Sequence, residues 1–254
     1  MQDLSLAIII LAAGKGKRMG LIDKPKVMAE ISGIPLIGHV IKAVLPLSPI
    51  SIVPIIGFQK EIVSSFIEQY HNPIISCIVQ EEQLGTGHAV NQAAHIFNDF
   101  SGYILILTGD TPLIKASTLQ SFIDSFHSFP IDLAAATLSS FTSNPFGYGR
   151  IIRSEQGDFI GIVEQKDATD DQKKIEEINT GIFLVQSDKL FKALNNISNS
   201  NAQNEYYLTD IIKILIDQGE HVAAISSNSF AEFQGINTLE ELQLAQSTYN
   251  ELQG

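Results

Sequence analysis

Leu6-Ala-Ile-Ile-Ile-Leu-Ala-Ala-Gly-Lys-Gly-Lys-Arg-Met19 decides the fold of this chain. Its first seven residues are apolar and rich in Ile, too short for a membrane span and the right length for a strand buried on both faces. Glycines and cations follow at once. A strand that runs directly into such a turn belongs to a parallel sheet, whose carboxyl edge is where ligands sit in open α/β folds. Within Gly14 to Lys26 fall Lys15, Lys17, Arg18, Lys24 and Lys26, five of the 16 basic residues, against one acid, Asp23. The net charge is −12, so a local concentration of cations argues for a bound anion. A solvated basic turn is the plainer alternative. The spacing matches neither G-x-G-x-x-G nor the Walker A pattern.

Outward from this stretch, short β-branched runs alternate with amphipathic segments. Leu6 to Ala12, Ile50 to Ile56, Ile74 to Val79, Tyr103 to Leu107 and Leu133 to Leu138 read as strands. Ile34 to Val44, Lys60 to Tyr70, Gly87 to Phe97 and Ala116 to Phe126 read as helices. This βαβα order predicts a Rossmann-like α/β fold with a mainly parallel mixed sheet flanked by helices. After Pro145, turn signals at Gly147 to Gly149 and Gly157-Asp158 precede strands at Phe159 to Val163 and Asn179 to Val185, so a more antiparallel part is expected. Asp188 to Asn195 and Leu208 to Gln218 then read as helices, His221 to Ile225 as a strand and Thr238 to Leu252 as a helix, with a capping box at Thr238 to Glu241. We expect one domain over 1–254 with two lobes, over about 1–140 and, smaller, about 141–237, and a C-terminal helix at 238–254.

Composition excludes several classes. Apolar residues make up 44% and charged residues 17% of 254, as in an ordinary globular protein. The acidity argues against nucleic acid and anionic membranes as partners. The N-terminus lacks the basic start and small-residue cleavage site of a signal peptide, so a cytoplasmic setting is expected. Cys77 is the single cysteine and reads as a core thiol. His39, His71, His88, His95, His127 and His221 show no metal-site spacing and read as surface or packing residues.

Two further strand ends carry polar groups. Tyr103-Ile-Leu-Ile-Leu-Thr-Gly-Asp110 ends in a carboxylate facing the same crevice, and a hard cation such as Mg²⁺ takes one or two protein oxygens readily. Asp110 alone reads equally as a turn aspartate. Gln80-Glu-Glu-Gln-Leu-Gly-Thr-Gly87 could read the edge of a base, or form an ordinary loop leading into a helix.

Together these segments resemble the sugar-nucleotide pyrophosphorylases. More narrowly, the chain is similar to the N-terminal uridylyltransferase half of the bifunctional N-acetylglucosamine-1-phosphate family, GlmU. The likeness rests on Leu11 to Met19 with Pro25-Lys26, Gln80 to His88, Gly109 to Leu113, Gly147 to Arg150, Val163 to Ala168, Glu177 to Gly181, Asn204 to Asp210 and Gly235 to Asn237, in the family's order over nearly the whole chain. The resemblance implies the nucleotide-diphospho-sugar transferase fold. It also implies formation of UDP-N-acetylglucosamine and pyrophosphate from UTP and N-acetylglucosamine 1-phosphate, by Mg²⁺-assisted in-line attack on the α-phosphate. Arg18 and Lys26 would be catalytic. Leu11, Ala13, Gly14, Lys15, Gln80, Gln83, Gly85 and Thr86 would bind the nucleotide. Gly149, Glu164, Asn179, Glu205, Tyr207 and Thr209 would line the sugar pocket, and Asp110 and Asn237 would hold Mg²⁺. The sequence departs from the pattern with Lys at 17, where a small residue is usual, and Thr at 108, where an aromatic is common. It ends at Gly254, before the family's β-helix acetyltransferase, so we expect no acetyl transfer and a monomer or weak oligomer.

Overall fold

The computed structural model describes residues 5–20 and 24–253. Its core is one mixed sheet. Strand β1 (Leu6–Ala12) lies inside the sheet, parallel to both neighbours. Glu30–Ile31 and Ile34–Pro35 form a small hairpin, β2 and β3, ahead of helix α1 (Leu36–Val44). Then come β4 (Ser51–Ile56), α2 (Lys60–Glu68), β5 (Ile78–Val79), α3 (Thr86–Asn91), β6 (Tyr103–Thr108), α4 (Ala116–His127) and β7 (Ala135–Phe141). The remainder is β8 (Gly149–Arg153), β9 (Phe159–Val163), β10 (Glu177–Gln186), α5 (Ser187–Leu194), α6 (Asp210–Asp217), β11 (Val222–Ser226) and α7 (Leu239–Gln253). The sheet order is β11-β7-β10-β6-β1-β4-β5, with β8 paired to β10 and β9 to β8. Along this path β10 alone runs antiparallel to its neighbours; β8 and β9 extend it as antiparallel pairs.

The two-residue period of each strand sorts its side chains between two apolar layers. Ile8, Ile10 and Ala12 of β1, with Leu105 and Leu107 of β6, pack on α1, α2 and α4. Ala7 and Ile9, with Ile104 and Ile106, face α3, α5 and α6 on the other side. A strand buried on both faces cannot alternate with polar residues, which is why Ala-Ile-Ile-Ile reads as one continuous run. Helix α7 adds a third, smaller cluster, in which Ala245 meets Met19, Ile31, Leu36 and Ile236.

Most sequence-derived elements stand within two residues of their expected ends. Helix α1 begins at Leu36 rather than Ile34, because Pro35 disfavours the α conformation in the residue before it and leaves Ile34 extended. Ile74 to Val79 is an edge strand paired in two short pieces, at Ile75 opposite Ile52 and at Ile78–Val79 opposite β4. The third predicted helix stops at Asn91 and resumes as a turn at Ala94–Ile96. Strand β8 is hidden in the sequence by Gly149 and Arg150, and Arg150 is fully buried. The capping box forms as expected: Glu241 N donates to Thr238 Oγ1 at 3.1 Å, and Thr238 N donates to Glu241 Oε2 at 3.0 Å.

Strand β10 joins the two parts of the sheet. Its pairing with β7 shifts register between Asn179 and Ile182, at Gly181 with φ +81°. Before the shift it bonds β8, and after it β6. Asn179 therefore sits where the parallel core gives way to the antiparallel extension.

Candidate active site

The carboxyl ends of β1, β5 and β6 open into a cleft of about 270 Å³. Its wall includes Leu11 to Gly14, Lys26, Gln80, Gln83, Gly85, Thr86, Thr108, Asp110 and Glu205. The turn after β1 is held by shape. Gly16 has φ +61°, and a Cβ there would lie 2.4 Å from Lys26 Cβ, so only glycine lets the turn close onto Lys26. Gly14 is exposed at the rim. Lys15 Nζ stands 6.0 Å from the centre of the Phe58 ring. Asp23 and the side chain of Lys17 lie outside the described residues.

Four expected residues converge at the mouth. Lys26 Nζ forms an ion pair with Asp110 and donates to Asn237 Oδ1 at 2.9 Å. Arg18 Nη2 donates to the same Asn237 oxygen at 2.9 Å. The segment before α7 is tied down by Ile236 N, which donates to Asp110 O at 2.9 Å, and by Asn237 N, which donates to Glu241 Oε2. Burial pushes the Asp110 carboxyl up, but the Lys26 charge and hydrogen bond, with hydrogen bonds from Thr108 and its own backbone N–H, outweigh it and hold it below the ordinary value. Asp110 is thus an anion at neutral pH. Its carboxylate and the Asn237 amide oxygen are hard oxygen donors brought to one point, a set that fits a divalent cation completed by phosphate and water oxygens. Among the described residues, no group of three or more His, Cys, Asp or Glu side chains could hold a metal.

On the opposite wall, Gln80 is buried, and its Nε2 donates to Gly85 O at 3.1 Å and lies 2.9 Å from His88 Nδ1. Gln83 Nε2 donates to the backbone oxygens of Gln80 and Glu81. Gly85 has φ +121°, and a Cβ there would lie 2.5 Å from Tyr206 O. Tyr206 N donates to Leu84 O, Gly87 N to Tyr206 O, and Leu208 N to Thr86 Oγ1, so the 84–87 loop is sewn to the 205–208 loop.

The 205–208 loop leads to the other expected residues. Thr209 Oγ1 donates to Glu164 Oε1 at 3.0 Å, and a Cβ on Gly149 would lie 3.6 Å from Glu164 Oε2 and 3.5 Å from Asn179 Cβ. Asn179 Oδ1 accepts from Thr137 Oγ1 at 2.7 Å. Tyr207 OH donates to Asp167 Oδ2 at 3.1 Å. Burial pushes the Glu164 carboxyl up, and the charges of Asp210, Asp167 and Glu205 push it further, against the Thr209 hydrogen bond. Glu164 contacts Thr209 and lies beside Gly149 and Asn179, and Glu205 lines the cleft.

The structure also brings in residues outside the expected site set. Tyr148 packs edge-on to Phe230, its hydroxyl pushed up to about 12 by burial and by the charges of Glu241 and Asp110. Thr108 supports Asp110. Asp167 orients Tyr207, and the capping residue Glu241 holds the Asn237 backbone. Of these, Glu241 is visible in the sequence as the fourth residue of the capping box, and Thr108 as a departure from the family's pattern.

A mainly parallel sheet whose carboxyl edge sets a cationic glycine turn against a carboxylate is the architecture of the nucleotide-diphospho-sugar transferase fold. The chain belongs to the MobA-like NTP transferase domain family, which it matches over residues 8–172. It is 44% identical to the bifunctional protein GlmU of Streptococcus gordonii, over 94% of this chain and 50% of that protein. It is likewise 44% identical to GlmU of Streptococcus thermophilus, over 90% of this chain and 48% of the relative. The chain therefore spans about half the length of these relatives. A UDP-glucose pyrophosphorylase solved with UDP-glucose shares the fold at 15% identity, with a TM-score of 0.74 over 98% of this chain and 99% of that one. Nucleotidyltransferases of this family generally use a divalent metal. Among the described residues, no helix is long and apolar enough to cross a membrane.

Proposed function

We propose that this chain joins UTP to N-acetylglucosamine 1-phosphate, forming UDP-N-acetylglucosamine and pyrophosphate, with Mg²⁺ as its metal. The observation that carries the reading is the convergence of Lys26, Arg18, Asp110 and Asn237 beside the glycine turn. Both reactants are anions, so the site must offset their repulsion and align them. Leu11, Ala13, Gly14, Lys15 and Arg18 receive the triphosphate, and Lys26 reaches the reacting α-phosphate. Gln80, Gln83, Gly85 and Thr86 hold the uridine. Gly149, Glu164, Asn179, Glu205, Tyr207 and Thr209 hold the sugar. Held at Asp110 and Asn237, Mg²⁺ supplies positive charge that polarises phosphate oxygens.

A phosphate oxygen of the sugar phosphate attacks the α-phosphorus, and the bond to the bridging oxygen breaks to release pyrophosphate. No protein nucleophile takes part. Lys26 gives up its contacts with Asp110 and Asn237 to follow the phosphate. The division of labour follows the chain, with nucleotide over about 1–140, sugar over about 141–237, and α7 bracing Asn237. The nucleotide substrate suits a cytoplasmic enzyme, and we propose a monomer or weak oligomer.

The test is pyrophosphate release from UTP and N-acetylglucosamine 1-phosphate, with and without Mg²⁺. Metal-dependent release supports the reading. Release with glucose 1-phosphate alone would keep the reaction and overturn the sugar. Tight nucleotide-sugar binding with no turnover on any sugar phosphate would overturn the enzyme.

A further inference from the structure

We infer that His88 is the positioning residue that makes this site select a base with a ring N–H, by locking the amide of Gln80 with its oxygen offered to the cleft. The inference rests on the proposal that Gln80 meets the base, and adds what fixes its polarity.

Gln80 is 3% exposed, so its amide cannot turn freely toward water. Gly85 O lies 3.1 Å from one end of that amide and can only accept, which places Nε2 there. The second Nε2 hydrogen points to His88 Nδ1 at 2.9 Å. Both hydrogens are thereby used. Among the described residues, Oε1 takes part in no hydrogen bond.

A neutral imidazole carries one N–H, and His88 has an amide at each nitrogen: Gln80 at Nδ1, and Gln92 at Nε2 at 3.1 Å. Gln80 is fixed by Gly85 O, so Nδ1 accepts from its amide. The half-buried Gln92, just past the end of α3, sets its Nε2 against the other ring nitrogen and donates from it to His88 O at 3.1 Å. The Tyr206 ring stands 6.4 Å from the imidazole between centres, tilted 33° to it.

The chemical consequence is a choice between pyrimidines. Uracil carries a hydrogen on N3, which Gln80 Oε1 accepts. Cytosine presents a bare N3 lone pair there, and two acceptors face each other. Without His88 Nδ1 the amide loses one of the two contacts that hold its polarity.

The test uses the full chain, with kcat/KM for UTP and for CTP at saturating N-acetylglucosamine 1-phosphate, and calorimetric Kd values for both nucleotides. His88→Leu removes the acceptor, and the UTP/CTP preference should fall about tenfold, mainly through KM, as expected for one lost hydrogen bond to a buried amide. His88→Asn places an oxygen near the Nδ1 position and should restore most of the preference, whereas His88→Gln, which mimics Nε2, should not. An undiminished preference in His88→Leu, or rescue by Gln and not by Asn, overturns the inference. Gln80→Ala separates the layers. If that variant discriminates as well as the wild type, the base-reading role of Gln80 fails, and the inference with it.

Discussion

Lys26→Ala perturbs both the reacting complex and the free protein. Lys26 is 13% exposed and pairs with Asp110, itself 17% exposed, while donating to Asn237 Oδ1. In the proposed reacting complex its charge would face a phosphate. Two unit charges about 4 Å apart interact by roughly 4 kcal/mol at an effective dielectric near 20, an upper bound of about three decades in rate. Arg18 and the metal share the load, so the expected loss in kcat is on the order of 10²–10³, the range for a deleted transition-state donor. In the free enzyme the same change leaves the Asp110 carboxylate without its cation. That costs about 1–3 kcal/mol, or several degrees in Tm for a chain of this size. Mg²⁺ at Asp110 would replace the missing charge and recover part of the loss. Steady-state pyrophosphate release and melting curves with and without Mg²⁺ read both effects. A folded variant that keeps more than half of wild-type turnover would remove Lys26 from the reaction.

Asp110→Asn should raise the Mg²⁺ concentration needed for half-maximal rate sharply, and an unchanged metal titration would sink the ligand assignment. Glu241→Ala removes the acceptor of both Asn237 N and Thr238 N, so stability should fall by about 1 kcal/mol, typical of a lost helix cap. The Mg²⁺ requirement should rise with it; a stability loss at constant metal dependence would leave Glu241 a cap and nothing more. Because the folded pKa of Asp110 is depressed, its contribution to stability is present above the ordinary value of 3.8 and is lost as pH falls from there through the folded value. Asp110→Asn should flatten acid denaturation in that window. For Glu164 the folded pKa is raised above 4.5, so the native state binds the extra proton and stability falls as pH rises from 4.5 through the folded value. Glu164→Gln should abolish that slope, and a retained slope would point to another carboxylate.

The sequence by itself determined whatever depends on local period and composition. Unbroken apolar runs from Leu6 and Tyr103 mark strands buried on both faces, because parallel strands covered by helices have no wet side to record. The cations from Lys15 to Lys26 stand out against an otherwise acidic chain as the candidate anion end, and Thr238 to Glu241 marks a helix start. Tertiary structure decided what depends on pairing across long separations. Lys26, Asp110 and Asn237 are far apart in the chain, and their shared contact exists only because β1, β6 and the segment before α7 end at one place. Arg150 is charged and yet buried, so β8 left no hydrophobic signature. His88 reads as a packing histidine because nothing in its own neighbourhood of sequence shows that β5 delivers Gln80 to its ring. A side chain's burial and partners are set by elements remote in sequence, whereas its periodicity is set by the residues beside it.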